Sequence, residues 1–199
     1  MVKDLLDSFL KKHFFFLRHG ETDWNYKKLC QGQKDIPLNK KGLQEAKEFA
    51  VKSRNLNIGC IVSGPLNRAL ATAKEIHKVH SDTKLYIAPE LSERYWGSIE
   101  GMTSEEMYSR EILEEEDPLY SQEQGIEPKS SFRQRVSQGI IIAQKYHPHP
   151  LVVSHGRVFR ELCFLLGIPP LRQLPNCQLI KIFPSGSSWE SCTLKENLL

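Results

Sequence analysis

Phe14-Phe15-Phe16-Leu17 is an uninterrupted apolar run that leads directly into Arg18-His19-Gly20. The run is too short for a helix of a hydrophobic core, so we predict a buried β-strand over 13–17. The strand ends at a guanidinium group, an imidazole and a glycine. Polar side chains at the carboxyl end of a buried strand are typical of a ligand site in an α/β sheet. The same short stretch therefore predicts both a sheet and a site at its edge.

Helical and strand patterns alternate on both sides of this stretch. Apolar residues at helical spacing predict helices, and short apolar runs bounded by turn residues predict strands. The predicted helices cover 3–12, 40–54, Pro65 to about His80, 103–116, 130–146 and 157–167, and the predicted strands cover 58–62, 84–88, 151–154, 178–183 and 188–194. Such alternation favours a mostly parallel central sheet with helices on both faces. We therefore predict an α/β fold, a three-layer α/β/α sandwich.

Length and composition bound the number of domains. The chain has 199 residues, of which 40% are apolar and 26% are charged. This is enough for one sizeable core and marginal for two. We predict a single domain over residues 1–199. Within it, the regular pattern gives way to irregular and acidic sequence at about 94–128, which we interpret as a cap-like insertion.

Charge is distributed unevenly along the chain. Residues 100–127 hold ten acidic residues and one basic residue, Arg110, which gives a local charge of −9. The whole chain carries +3, so removing −9 leaves +12 on the other residues. A basic body suits an anionic ligand. Nucleic acid is not favoured, because the lysines and arginines are dispersed and no stacking pattern of aromatic and basic residues accompanies them.

The cysteines and the apolar runs indicate the cellular compartment of the protein. Five scattered cysteines without a C-x-x-C pair are typical of reduced thiols in a cytoplasmic protein. The longest apolar runs, at 14–17 and 140–143, fall far short of the roughly 20 residues that a membrane span requires. The N-terminus lacks the pattern of a signal peptide. We expect a cytoplasmic protein that contacts no membrane.

Ionisable side chains follow the first, second and fourth predicted strands. Arg18 and His19 follow the first strand, Arg68 follows the turn after the second, and His155 follows the fourth. Carboxyl ends of parallel strands share one edge of a sheet, so we expect these groups to meet there. They suit phosphoryl transfer, because guanidinium groups match phosphate oxygens and a neutral imidazole is a nucleophile. The nearby arginines would hold the imidazole neutral near pH 7.

A carboxyl group after the third strand would complete this chemistry. It would protonate the leaving alkoxide and then take the proton of the water that attacks the phosphohistidine. Glu90 and Glu93 are close enough in the sequence that either fits this role on chemistry alone.

Four blocks of the chain resemble the signature of the histidine phosphatase superfamily, which contains cofactor-dependent phosphoglycerate mutases and many phosphatases. The blocks are, in chain order, Leu17-Arg18-His19-Gly20-Glu21-Thr22 with Trp24-Asn25, Ser63-Gly64-Pro65-Leu66-Asn67-Arg68-Ala69, Leu91-Ser92-Glu93-Arg94-Tyr95-Trp96-Gly97 with Glu100-Gly101, and Val153-Ser154-His155-Gly156. One R-H-G triplet would be weak evidence. Four ordered blocks over nearly the whole chain are specific, and they imply a phosphoglycerate mutase-like fold.

The resemblance also implies a role for each matching residue. His19 is implied as the residue that is phosphorylated, Glu93 as the proton donor and His155 as a second catalytic histidine. The implied phosphate pocket is formed by Arg18, Arg68 and His155, with Asn25 and Gly156 as further phosphate contacts. The implied substrate contacts are Gln31, Gly32 and Arg157.

Two departures distinguish the chain from the mutases of this family. Gln31-Gly32 stands where the mutases usually carry Thr-Gly, and the acidic stretch 105–117 stands where they tend to place further basic residues. The resemblance therefore favours the phosphatase branch, and we expect a metal-independent phosphomonoester hydrolase that acts on a small phosphorylated metabolite. A cofactor-dependent phosphoglycerate mutase is the alternative. A non-catalytic protein that binds a phosphorylated ligand is a third hypothesis.

Arg157 is a further departure, because the phosphatases compared often have a small residue there. It leaves two alternatives, an extra cation at the pocket mouth or a side chain turned away from it.

We predict no metal and no cofactor. His77 and His80 have metal-like spacing, but no further ligand completes a site. An apolar stripe at Leu5, Leu6, Phe9 and Leu10 is interpreted as packing on the body or as a self-association surface, so a homodimer stays open.

Overall fold

The computed structural model describes residues 12–116, 119–146, 149–171 and 173–193. Its strands are β1 Phe14–Arg18, β2 Cys60–Ser63, β3 Lys84–Ile87, β4 Pro150–Ser154, β5 Leu179–Ser185 and β6 Ser188–Thr193. They form one sheet in the order β3-β2-β4-β1-β5-β6. The first four strands in this order pair in parallel, and β5 runs antiparallel to both β1 and β6. The predicted mostly parallel sheet is confirmed.

Seven helices connect or follow these strands in the described ranges. They are α1 Asp23–Tyr26, α2 Lys40–Lys52, α3 Asn67–Val79, α4 Ser104–Glu116, α5 Tyr120–Glu123, α6 Lys129–Tyr146 and α7 Gly156–Leu166. Short 3₁₀ turns occur at Ser53–Asn55, Pro89–Leu91 and Gly97–Ile99. Local signals set several ends: the Asn39 side chain accepts a hydrogen bond from the Gly42 N–H at the start of α2, and Gly167 ends α7 in the left-handed conformation.

Strand β1 is buried on both faces of the sheet, which is why its sequence is apolar throughout instead of alternating. Phe14 and Phe16 belong to a core cluster that also contains residues of α6 and α7. Phe15 and Leu17 belong to a second cluster that also contains residues of α2 and α3. Helices therefore cover both faces, and the predicted three-layer sandwich is confirmed.

The irregular segment at 94–128 has a small core of its own. Trp96, Ile99, Met107 and Ile126 pack together with Cys30, which lies in the loop after α1. Helix α4 occupies nearly the predicted range, whereas the short helix α5 was not predicted. This third cluster attaches the acidic segment to the loop that follows β1.

Two predicted element starts are wrong by two residues. Strand β2 begins at Cys60 and not at residue 58. Helix α3 begins at Asn67, so Pro65 is not its first residue, and Leu66 is the extended N-cap residue. The Asn67 N–H donates to Asp35 Oδ1 at 2.7 Å. A carboxylate from a distant loop therefore satisfies the first N–H of this helix, a contact that local sequence does not reveal.

The predicted N-terminal helix and its apolar stripe lie outside the described residues, apart from Lys12. In the described part of the chain, no helix combines the length and the apolar character that crossing a membrane requires.

Candidate active site

The carboxyl ends of β1 and β4 bring two histidines together. Arg18 is paired with Ser154 in the parallel ladder, and the His19 N–H donates to the Ser154 carbonyl at 3.0 Å. His19 and His155 follow these residues directly. Their ring centres are 5.2 Å apart, and the two rings meet edge to face. The predicted convergence of the first and fourth strand ends is thus observed.

A backbone carbonyl fixes the tautomer of His19. Its Nδ1 lies 2.7 Å from the Gly20 oxygen. A carbonyl oxygen only accepts hydrogen bonds, so the neutral ring carries its proton on Nδ1 and keeps a lone pair on Nε2. The ring is buried but lines the cavity described below. His19 therefore presents a nucleophilic nitrogen to that cavity.

The guanidinium groups of buried Arg68 and half-buried Arg18 stand beside this ring and have N–H donors without partners among the described residues. Arg68 Nη2 donates to the Gly32 carbonyl at 2.7 Å and its Nη1 to the Lys34 carbonyl at 2.8 Å. Arg18 Nη1 donates to the Leu174 carbonyl. The Nε atoms of both arginines are buried and have no hydrogen-bond partner in the described ranges. Unpaired donors of this kind favour an anionic ligand, because leaving them unsatisfied is costly.

The ring nitrogens of His155 also lack hydrogen-bond partners in the described ranges. It is fully buried at the N-cap of α7, and neither ring nitrogen has a hydrogen-bond partner among the described residues. Gly156, the next residue, lines the cavity as the first residue of α7. The helix N-terminus adds a partial positive charge to this side of the site.

Burial and positive charge keep both histidines neutral. Burial lowers the pKa of His19 well below its ordinary value, and Arg68 and Arg18 lower it further. Burial also lowers the pKa of His155, with Arg68, His19 and Arg18 as the next causes. Burial is therefore the larger cause of the neutral imidazoles, whereas the sequence pointed to the arginines. Burial lowers the pKa of Arg68 to about 10, so that side chain keeps its charge at neutral pH.

The structure distinguishes between the two candidate acids. Glu93 lines the cavity and Glu90 does not. Glu93 Oε1 accepts the Arg94 N–H at 3.0 Å, and Oε2 accepts the Arg157 N–H at 3.2 Å. The backbone thus holds the Glu93 carboxyl group at the cavity wall.

Asn25, Gln31 and Gly32 line the same cavity but already have contacts within the protein. Asn25 Oδ1 accepts the Thr22 N–H at 3.2 Å, and Gln31 Oε1 accepts the Thr22 hydroxyl at 2.9 Å. Gly32 has a positive φ, and a Cβ there would lie 1.9 Å from Glu100 Oε1. Its carbonyl accepts a hydrogen bond from Arg68, so Gly32 helps to place that guanidinium group.

Arg157 combines features of both alternatives considered for it. It lines the cavity, but its Nη1 is paired with Glu111 Oε1 of α4 at 2.9 Å. Its guanidinium carbon lies 5.0 Å from the centre of the Tyr108 ring and 5.2 Å from that of Trp96. The charge of Arg157 is therefore balanced at the wall instead of standing free at the mouth.

The cavity has a volume of about 220 Å³. Sequence reasoning missed several residues around it. The Asn176 amide donates to the His19 carbonyl at 2.8 Å, and the Gly20 N–H donates to the Thr72 hydroxyl at 3.1 Å. Thr72 lies one helical turn after Arg68 on α3, which is a usable signal, whereas Asn176 lies in a loop without a motif. Lys28 and Arg160 also line the cavity.

In the part of the chain that the structure describes, the side chains do not form the ligand set that a metal ion requires. No group of three or more histidine, cysteine, aspartate or glutamate side chains is arranged there to hold an ion.

Comparisons with known proteins agree with this geometry. Residues 14–197 match the family model of the histidine phosphatase superfamily, branch 1. The chain is 32% identical over 179 residues to an uncharacterized phosphatase, PhoE, of Bacillus subtilis, which covers 87% of this chain and 89% of that protein. It is 31% identical over 191 residues to a probable phosphoglycerate mutase, GpmB, of an Enterobacter species, which covers 88% and 86%.

Solved structures share the fold. A mutant phosphoserine phosphatase from Entamoeba histolytica in complex with phosphoserine matches with a TM-score of 0.76 and 25% identity, over 94% of this chain and 99% of that one. A mycobacterial glucosyl-3-phosphoglycerate phosphatase matches with a TM-score of 0.72 and 20% identity, over 92% and 97%. The resemblance carried by the four sequence blocks is confirmed.

Proposed function

The chain belongs to the histidine phosphatase superfamily, and we propose that it hydrolyses a small phosphomonoester through a phosphohistidine on His19. One observation carries this proposal: a neutral imidazole with a free Nε2 stands among two arginines whose buried Nε donors have no partner in the described ranges. A phosphoryl group supplies the acceptors that these donors lack. Glu93 stands at the wall of the same cavity.

The chemistry has two steps in this proposal. His19 Nε2 attacks phosphorus, the bond from phosphorus to the ester oxygen breaks, and Glu93 gives its proton to the leaving alkoxide. Water then attacks the phosphohistidine, Glu93 takes a proton from it, and the bond from phosphorus to nitrogen breaks to release phosphate. Arg18, Arg68 and His155 bind the equatorial oxygens, where charge spreads in the transition state.

The other cavity residues have supporting roles in the proposal. Asn25 and Gly156 contact the phosphoryl group, and Gln31 and Arg157 contact the rest of the substrate. Gly32 acts through Arg68. We propose that residues 94–128 form a cap within a single domain, because Trp96, Met107 and Tyr108 of this segment line the cavity.

A phosphoglycerate mutase is the second candidate function. Lys28 and Arg160 line the cavity and are placed to attract a second anionic group of a substrate. The phosphoryl group would then return to a substrate hydroxyl instead of passing to water. Against this candidate, the Arg157 charge is already paired with Glu111.

The experiment measures both reactions on one preparation. Release of inorganic phosphate from p-nitrophenyl phosphate is assayed beside a coupled mutase assay with 2,3-bisphosphoglycerate. We expect phosphate release without mutase turnover, and mutase turnover faster than phosphate release would contradict the proposal.

We also propose that the reaction needs no metal, so phosphate release should be unchanged in excess EDTA. Activity that is lost in EDTA and returns only with added metal would contradict this.

A further inference from the structure

One guanidinium group donates to three carbonyls of the segment that carries Glu93, and the Glu93 carbonyl also accepts the Gln33 side-chain amide at 3.0 Å. Arg135 of α6 donates from Nη1 to the Glu90 carbonyl at 2.9 Å and to the Ser92 carbonyl at 2.6 Å. It donates from Nη2 to the Glu93 carbonyl at 2.9 Å. The loop after Pro89–Leu91 is neither helix nor strand at Ser92 and Glu93, so these carbonyls rely on a side chain for their hydrogen bonds.

Arg135 is itself fixed by a carboxylate. Its Nε lies 2.6 Å from Glu127 Oε1, and its Nη2 lies 2.7 Å from Glu127 Oε2. Its guanidinium carbon also lies 4.8 Å from the centre of the Phe132 ring. A guanidinium group has five N–H donors, and three carbonyls and two carboxylate oxygens use all five. A planar fork with this many simultaneous partners has one orientation, which a lysine cannot reproduce.

We infer that Arg135, held by Glu127, is a positioning residue for the general acid Glu93. It does not line the cavity but contacts the loop, and its positive charge, which a lysine would keep, also lowers the pKa of His155. The Glu93 carboxyl group accepts the backbone N–H groups of Arg94 and Arg157, and the Glu93 carbonyl accepts the side chains of Arg135 and Gln33. This inference rests on the proposed function, since Glu93 needs placing only if it transfers protons.

The role has a specific kinetic signature. A displaced acid matters most when the leaving group is a strong base, and little when it leaves readily as nitrophenolate. Loss of positioning should therefore lower kcat/KM for an alkyl phosphate more than kcat/KM for p-nitrophenyl phosphate. Loss of folding lowers both values equally, because both are measured on the same preparation. The ratio of the two thus reports positioning and not the amount of folded protein.

The test compares Arg135→Lys with a matched control, Arg133→Lys. Arg133 lies on the same helix, is paired with Glu161 and stacks on Phe164, away from the acid loop. We expect the ratio of alkyl to aryl kcat/KM to fall on the order of 10- to 100-fold in Arg135→Lys, within the range of general acid catalysis. The ratio should be unchanged in Arg133→Lys. Glu93→Gln gives the largest expected fall and sets the scale.

Glu127→Gln provides a second variant in case Arg135→Lys does not fold. It keeps one acceptor oxygen for Arg135 and removes the charge, so we expect a smaller fall of the ratio in the same direction. An unchanged ratio in Arg135→Lys, or in Glu127→Gln if only that variant folds, would overturn the inference while leaving the phosphatase proposal intact. A wild-type protein without phosphatase activity, or a Glu93→Gln ratio equal to that of the wild type, would overturn both.

Discussion

The floor and the wall of the cavity are built in opposite ways. The floor, which we define as the lining residues Arg18, His19 and Arg68 together with the His155 ring that contacts His19, is buried apart from half-buried Arg18. It carries positive charge and leaves several nitrogen atoms without hydrogen-bond partners in the described ranges. The wall, which we define as the lining residues Trp96, Tyr108 and Arg157 together with Glu111, the ion-pair partner of Arg157, has its charges paired and its cation over aromatic rings. The unsatisfied floor is suited to bind a reacting group strongly, whereas the satisfied wall shapes what can enter.

Removing the proposed nucleophile from the floor should have the largest effect on activity. In His19→Ala, we expect phosphate release from p-nitrophenyl phosphate to fall by on the order of 10⁴–10⁶, as for other catalytic nucleophiles. The matched control is His77→Ala, because His77 lies on α3 outside the cavity and bonds only the Thr83 carbonyl among the contacts described. A His19→Ala protein with wild-type turnover would show that the floor is not the reacting centre.

Loss of one floor donor should have the next largest effect. Arg68→Ala removes a guanidinium group that we propose binds the phosphoryl oxygens, and we expect kcat/KM to fall on the order of 10²–10³. Aryl and alkyl phosphates should lose equally, because the donor binds the group that both share. A loss confined to alkyl phosphates would instead place Arg68 with the leaving group.

The floor should also make stability depend on pH. Above the ordinary histidine pKa of 6.5, the unfolded and folded states both keep His19 and His155 neutral. Below 6.5 the unfolded state binds protons that the folded state, with its lowered pKa values, does not bind. The free energy of unfolding should therefore decrease as the pH is lowered below 6.5, by about 1.4 kcal/mol per pH unit for each imidazole.

Urea unfolding at pH 7.5 and pH 5.5 measures this dependence. A His155→Gln variant should lose less stability than the wild type between these two pH values, because one buried imidazole is absent. Equal losses in the two proteins would contradict the assignment of the pH dependence to the floor.

A change in the wall should have the smallest effect and sharpen the comparison. Glu111→Gln leaves the Arg157 charge unbalanced at the cavity. We expect KM for phosphoserine, which carries a carboxylate, to fall roughly 2- to 5-fold, because this is the change in affinity that one weak ion pair produces. KM for p-nitrophenyl phosphate should stay the same, and Glu161→Gln, which breaks a pair outside the cavity, is the control. Equal changes for both substrates would mean that the wall does not discriminate.

The same contrast explains how much the sequence could predict. The floor residues follow buried strands, and strand ends of a parallel sheet meet by geometry alone, so Arg18, His19 and His155 were predicted together. The contacts of the wall join residues far apart, as Arg157 joins Glu111 across 46 positions, and no local pattern encodes such a pair.

Three supporting residues show the same limit. Thr72 and Asn176 contact the His19 loop through its backbone groups, and the hydrogen bonds of Arg135 go to backbone carbonyls and one carboxylate. Backbone acceptors are identical at every position, so the sequence does not reveal which of them a side chain will reach. The helix boundary at Asn67 was missed for a related reason, because its partner Asp35 lies in another loop.

Trapping the covalent intermediate tests the central claim most directly. Glu93→Gln protein is mixed with an aryl phosphate, quenched in alkali to preserve phosphohistidine, digested and analysed by mass spectrometry. The account predicts one phosphoryl group, on His19, which disappears when His19→Ala is added to the same variant. A phosphoryl group on another residue, or phosphate release by the wild type with no labelled protein in either form, would contradict it.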